Sequence, residues 1–315
     1  MSLHGDLLAT EHLTVPITTH DINEYTRPLE AVPAVATVDA QAFLSQLSRV
    51  LPAAGDDYTL PVLSGIQVTL DGDMLTMVAT DRYRFAVAEV PVTAVVQTSR
   101  TPLVVLIPAV TLSALAKRLK NYNGPVGIGI LDNLHAEGDP TTTRPTPRAT
   151  LSLGAITVTM RSLEGALPKC KSLFPKACET SLRLDRATIV RAVKKCQAVL
   201  TAKGLKNDPV MFAWDSDGNL TLAPRLHTAE GEARVKGMSL PADITHGTGE
   251  GLRGALAAFN PTFLLDALGT FTNDTVTLHL DEMKDGQLSK PALFTDGPEM
   301  AGQGYRHLLM HVRLS

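Results

Sequence analysis

The chain has 315 residues, room for two domains of ordinary size, and its 44% hydrophobic and 19% charged content is that of a folded rather than a disordered protein. Its formal net charge of −3 argues against indiscriminate nucleic-acid binding. No apolar run reaches the ~18 residues of a membrane span, MSLHGDLLATEH lacks the basic start and apolar core of a secretory signal, and Cys170, Cys178 and Cys196, odd in number and without C-x-x-C spacing, point to free thiols in a cytoplasmic setting over a Cys170–Cys178 disulfide.

Residues 1–33 fit neither of the two repeats that follow. The segment 38–52, VDAQAFLSQLSRVLP, predicts a helix capped by Asp39, with Phe43, Leu44 and Leu47 as its apolar stripe. LPVLSGIQVTL (60–70) predicts a strand. DGDMLTMVATDRYRFAVAEV (71–90) predicts two more, joined through the charged Thr80-Asp81-Arg82-Tyr83-Arg84 connection. LIPAVTLSALAKRL (106–119) predicts a strand end running through proline into a helix. VGIGILDN and ATLSLGAITVTM predict strands on either side of a Pro- and Thr-rich surface loop at 135–148. The apolar residues of SLEGALPKCKSLFPKACET (162–180) predict a linker that packs.

The second half repeats this order. Residues 185–204 predict a helix with Asp185 as N-cap, Gly204 as stop, and Ile189, Val190, Val193 and Leu200 on one side. It aligns with the helix at 38–52 at an offset of 146 residues, Asp39 on Asp185 and Leu47 on Val193. SDGNLTLAPRLHTAEGEARV (216–235) echoes 71–90, and AFNPTFLLDALGTF (258–271) echoes 106–119. DTVTLHLDE, KPALFTD and YRHLLMHVRL predict closing strands. Self-similarity at this period means a duplicated domain rather than a solenoid.

Charge is segregated. Segments 185–204 and 108–121 hold Arg186, Arg191, Lys194, Lys195, Lys203, Lys117, Arg118 and Lys120, eight of the 29 basic residues, beside one of the 32 acids, Asp185. An acidic body with basic helices suits a protein that offers a polyanion one face. No enzyme signature accompanies it. GPVGIGIL (124–131) contains G-x-G without the third glycine or the following helix, and no P-loop, G-x-S-x-G or H-E-x-x-H occurs. His307 and His311 are too far apart along a strand to form a ligand pair, and Asp81, beside Arg82 and Arg84, reads as a turn-holding carboxylate.

LPVLSGIQV, VATDRYRFAV, ALPKCKSLFP, AFNPTFLLDAL and YRHLLMHVRL, in this order, resemble the bacterial DNA sliding clamp, the β subunit of DNA polymerase III. The likeness runs from about residue 34 to residue 314. It implies an α+β DNA clamp fold with helices lining a hole and antiparallel sheets outside. It divides the chain into an arm at 1–33, read as a remnant of a first clamp domain that supplies its closing strand and exit linker, a clamp domain at 34–165, a linker at 166–182 and a second clamp domain at 183–315. It implies a non-catalytic processivity factor without metal or cofactor, encircling double-stranded DNA and held by polymerase and clamp-loader peptides. Six clamp domains per ring make the expected assembly a homotrimer, with a homodimer as the alternative. A second reading is a clamp-like decoy or regulator that binds clamp partners without encircling DNA.

The resemblance implies two sites. The eight basic residues named above would face phosphates. A peptide groove would comprise Leu63, Thr80, Arg82, Tyr83, Arg84 and Phe85; Pro168, Ser172 and Leu173 from the linker; Asn260 and Phe263; and Leu308, Met310, His311, Val312 and Arg313 from the C-terminus. The groove departs from the common family pattern at Arg82-Tyr83, at Phe85 where leucine is usual, at Ser172 where arginine is frequent, and at His311 where proline follows the methionine. These changes would narrow or reshape it.

Overall fold

A computed structural model describes residues 2–25, 28–57, 59–96, 102–132, 146–168, 173–205, 207–228, 231–232, 235–302 and 304–314. They form two units, 1–30 and 31–315. The first is a three-stranded antiparallel meander, β1 Ser2–His4, β2 Leu7–Ala9 and β3 Thr14–Pro16, followed by one 3-10 turn, Ile22–Glu24. The sequence suggested only one strand here. Two precede it because Gly5, at φ +58°, turns the chain back and sets Leu3 opposite Leu8, which in turn faces Val15.

The larger unit begins with β4 Ala36–Asp39, which feeds α1 Ala40–Val50. Asp39 Oδ1 accepts a hydrogen bond from the Ala42 N–H at 2.9 Å, satisfying one of the orphan donors of the first turn. There follow β5 Gly65–Asp71, β6 Met74–Thr80, β7 Arg84–Pro91, β8 Thr93–Ala94, β9 Leu103–Pro108, α2 Ala109–Leu119, β10 Pro125–Leu131, β11 Arg148–Leu153 and β12 Ile156–Arg161. The second half runs β13 Thr180–Asp185, α3 Arg186–Ala202, β14 Val210–Trp214, β15 Leu220–Pro224, β16 His227–Thr228, β17 Gly231–Glu232, β18 Met238–Leu240, β19 Ala242–His246, β20 Leu256–Phe259, α4 Pro261–Gly269, β21 Thr275–Leu280, β22 Met283–Lys284, β23 Gln287–Leu288, β24 Ala292–Thr295 and β25 Tyr305–Leu309. The Pro- and Thr-rich loop lies mostly outside the described residues.

Three large sheets carry the body: β12-β11-β10-β4-β8; β19-β13-β21-β24-β25-β7-β6-β5-β9; and β18-β15-β14-β20-β23-β22. The central one crosses from one half to the other where β25 pairs antiparallel with β7, His307 opposite Ala86 and Leu308 opposite Phe85. α1 packs on β6 and β7, and α3 on β13, β14 and β15. The apolar stripes foreseen for these helices turn inward: Phe43, Leu47, Ile189, Val193 and Leu200 are buried, while Leu44 and Val190 are half-buried at the margin. Phe212 meets Phe259 edge to face at 5.3 Å in the second-half core.

A polar bolt crosses the junction. Arg49, on α1, donates from Nε to the Thr270 carbonyl at 3.0 Å and from a guanidinium nitrogen to Asp296 Oδ2 at 2.8 Å, with its guanidinium carbon 3.9 Å from the Tyr305 ring centroid. The Tyr305 hydroxyl donates to the Arg49 carbonyl and bonds His307 Nδ1, each at 2.9 Å. Residues 169–172 of the linker, and with them Cys170 and Ser172, lie outside the described residues. Its apolar part does pack, as Leu163 and Leu167 join Leu63 and Leu106.

Candidate partner groove and basic helical faces

The 80–84 connection is built by its own side chains. Asp81 Oδ1 accepts from the Tyr83 and Arg84 N–H groups at 3.0 and 2.9 Å, and the Thr80 hydroxyl accepts from the Arg82 N–H while donating to the Arg84 carbonyl. Arg82 takes φ +83°, a left-handed conformation unusual for a non-glycine residue, which these bonds enforce. Asp81 is thus fully engaged in the turn, as the sequence suggested.

Arg84 holds the groove floor to the second half. Its Nε bonds Asp81 Oδ2 at 2.8 Å, its other arm pairs with Asp266 on α4, and its guanidinium carbon lies 4.6 Å from the Phe263 ring centroid. Tyr83 stacks on Phe263 at 5.6 Å and stays 52% exposed, an aromatic plate facing solvent. Phe85 is buried against Phe174 and Leu308.

Thr80, Arg82, Tyr83, Arg84, Phe85, Pro168, Leu173, Leu308 and Met310 line one cavity of about 140 Å³. That is below the ~300 Å³ of a small-molecule site and suits inserted side chains. Leu63 is not part of this lining and packs instead with Leu106 and Leu167. Phe263 extends the rim through Tyr83. Asn260 is committed to capping α4, its Oδ1 accepting from the Thr262 and Phe263 N–H groups. The tail is pinned by the Met310 N–H to the Tyr83 carbonyl and the Val312 N–H to the Ala258 carbonyl, which carries His311, Val312 and Arg313 past the cavity rather than into its lining. Asp266 and Phe174 escaped the sequence reading. Asp266 was within reach of it, three residues beyond Phe263 on α4 and so on the same helical side.

The basic residues stand on separate helix pairs, because α2 packs on α1 and α3 on α4. Lys117, Arg118, Lys120, Arg191, Lys194, Lys195 and Lys203 are exposed. Arg186 is half-buried, with its Nε on the Asn273 carbonyl at 2.7 Å, and Arg191 bonds Thr188 Oγ1. Hydrogen bonds from Thr188, with the charges of Arg191 and Arg186 behind them, hold the Asp185 carboxyl below its usual range. Cys196 faces the core, where burial pushes its thiol up to about 11 and makes it unreactive.

The G-x-G of β10 has a packing role. A Cβ at Gly129 would fall 2.3 Å from the Val32 carbonyl oxygen, and one at Gly127 would crowd Ala34. These glycines let the incoming chain cross the strand. Among the described residues no His, Cys, Asp or Glu cluster could hold a metal ion, and no helix is long and apolar enough to cross a membrane.

Repeated helix-and-sheet halves with a side-chain-sized groove at their junction define a protein of the DNA clamp fold. The central-domain family of the DNA polymerase III beta subunit matches residues 37–169. The beta sliding clamp of Streptomyces coelicolor is 32% identical over 311 residues, covering 92% of this chain and 72% of the relative. The beta sliding clamp homolog GriR of Streptomyces muensis is 33% identical over 241 residues, 76% of this chain and 57% of the relative. The Bacillus subtilis DNA polymerase sliding clamp superposes with a TM-score of 0.77 at 18% identity, over 100% of this chain and 74% of that one. The chain belongs to the beta sliding clamp family, whose members are not enzymes.

Proposed function

We propose that this chain is a DNA sliding clamp, a ring that encircles duplex DNA and tethers a replicative polymerase through a short peptide seated in the groove. The observation that carries the reading is the groove itself, assembled from the 80–85 connection, the linker and the C-terminal residues 308–310. Two clamp domains, 34–165 and 183–315, joined by the linker 166–182 and preceded by the arm 1–33, would make a six-domain ring as a homotrimer, with a homodimer as the rival stoichiometry. The polymerase and a clamp loader would compete for the same groove, in a cytoplasmic setting. Exposed lysines and arginines on α2 and α3 would meet phosphates, contacts that carry no sequence information and so permit sliding.

The test is topological. The protein should be retained on closed circular DNA and lost when the circle is linearised. Equal loss from both forms, with peptide binding kept, would favour the decoy reading. Replacing Lys194 and Lys195 together by alanine should reduce the slope of log affinity against log salt by about 2, near one per phosphate contact. An unchanged slope removes both from the DNA face.

Met310 is 37% exposed and forms part of the cavity lining. Met310→Ala should weaken a polymerase-derived peptide about 5- to 30-fold, equivalent to ~1–2 kcal/mol, without altering the native mass. Equal affinity for the variant, measured by fluorescence anisotropy, would move the groove elsewhere.

A further inference from the structure

The groove limits the size of what it holds. Its cavity of about 140 Å³ is close to the ~150 Å³ of an apolar cavity that takes one benzene molecule. That is room for one apolar side chain and too little for two neighbours on a peptide.

Two phenylalanines fix this size. Phe85, 5% exposed on β7, packs with Leu293 and Leu308 and forms the buried side of the lining. Phe174 backs it edge to face, ring centroids 5.4 Å apart. The Arg306 guanidinium carbon lies 5.2 Å from the Phe174 ring centroid, and Glu89 holds that guanidinium at 3.1 Å. Phe85 can turn away only if Phe174 gives up both contacts. Tyr83 is stacked on Phe263, and Arg84 is tied to Asp81 and Asp266. Met310, unbranched and partly exposed, is the adaptable member of the lining.

The lining also sets the chemistry. The Thr80 hydroxyl is engaged within the 80–84 turn, and Arg84 is matched by two carboxylates. Arg82 differs. It is exposed at the cavity, its guanidinium carbon 5.8 Å from the Tyr83 ring centroid, and among the described residues no ion pair goes to it. Asp57, the acid that feels its charge, is held instead by the Thr59 N–H and hydroxyl.

We infer that the groove selects an acidic, single-anchor peptide: one apolar side chain fills the cavity, a carboxylate beside it pairs with Arg82, and a second, adjacent apolar residue stays outside. This rests on the peptide reading above and narrows it to a class of ligand. An apolar residue left outside gains only the surface of Tyr83. A second residue that was truly buried would add at least about 10-fold in affinity, the worth of burying one large apolar side chain.

Three ten-residue peptides, blocked at both ends and otherwise serine and glutamine, separate the parts. One carries Leu-Asp, one Leu-Phe-Asp and one Leu-Asn. Binding to the 315-residue chain is read from the ¹³C-methyl signal of Met310, assigned with Met310→Ala, and thermal melts check the fold of each variant. The native protein should prefer Leu-Phe-Asp to Leu-Asp by less than about 10-fold. It should bind Leu-Asn about 2- to 5-fold more weakly than Leu-Asp, the range of an exposed ion pair, and Arg82→Gln should abolish that difference. In Phe85→Leu, or in Phe174→Leu should the first fail to fold, the preference for Leu-Phe-Asp should exceed about 10-fold, because the shortened side chain leaves space in a packed wall.

A preference of about 10-fold or more on the native protein overturns the single anchor and leaves the peptide reading standing. Equal binding of Leu-Asp and Leu-Asn overturns the pairing with Arg82. A preference unmoved in both phenylalanine variants overturns the size limit assigned to them. If a polymerase-derived peptide moves the Met310 signal and none of the three does, the inference alone falls. If none of the four moves it, the peptide reading falls too.

Discussion

Replacing Arg49 by alanine is expected to lower the free energy of unfolding by about 3–5 kcal/mol, the range for removing one partner of a buried ion pair. The side chains of Arg49 and Asp296 are 9% and 7% exposed, so the surviving carboxylate would be left buried without its cation. The Thr270 carbonyl would lose a charged donor and the Tyr305 ring its cation. All of these losses fall on the line where α1 meets the second half. Urea unfolding should show a lower midpoint with an unchanged slope. The exposed pair Arg183–Asp243, at 53% and 69%, provides the contrast, and its removal should cost under ~1 kcal/mol. A loss as small for Arg49→Ala would mean that water reaches the Asp296 carboxylate and that the bolt does not hold the junction.

What was legible in the sequence was local. Asp39 and Asp185 cap the helices assigned to them, and Gly204 takes φ +75° just past α3, because capping depends on residues within one turn. Nine of the sixteen residues assigned to a peptide groove line one cavity. What was hidden depends on partners far along the chain. Arg49 reads as an ordinary polar residue of an amphipathic helix until Asp296 and Tyr305 are brought to it. The pairing of β25 with β7 sets residues more than 200 positions apart in register, and no periodicity within either strand specifies that partner. The repeat is also uneven. Among the described residues the long strand β7 has only Met238–Leu240 as its regular counterpart, since Lys236 and Gly237 stand where β7 has Ala86 and Val87.

Stability is expected to fall steeply below pH 6.5, and two buried histidines should account for most of the fall down to about pH 4.5. His307 is wholly buried in β25. Its Nδ1 bonds the Tyr305 hydroxyl, while Nε2 has no partner among the described residues. Burial, aided by the Arg84 charge, lowers its pKa to about 3. His279, bonded through Nδ1 to Ser181 and through Nε2 to Thr295, is lowered by burial and by the nearby His246 to about 4. Both titrate near 6.5 once unfolded. Between 6.5 and the folded values the unfolded chain takes up protons that the native state refuses, so stability drops as pH falls. It is retained in full above about 6.5. Each histidine adds a slope of up to ~1.4 kcal/mol per pH unit, and the two together up to ~2.7. Carried to pH 4, this reaches at most ~6 kcal/mol, comparable with the lower end of the 5–15 kcal/mol of a typical domain. His307→Gln should cost stability at pH 7, through lost packing, yet roughly halve the slope between pH 4.5 and 6.5, a window above the range where most carboxylates protonate. An undiminished slope would show that His307 titrates alike in both states and that water reaches the β25–β7 junction. Leu308, the next residue, lines the groove, so the acid that charges His307 opens the same junction. Peptide binding should therefore fail at the pH where the fold does and recover with it on neutralisation.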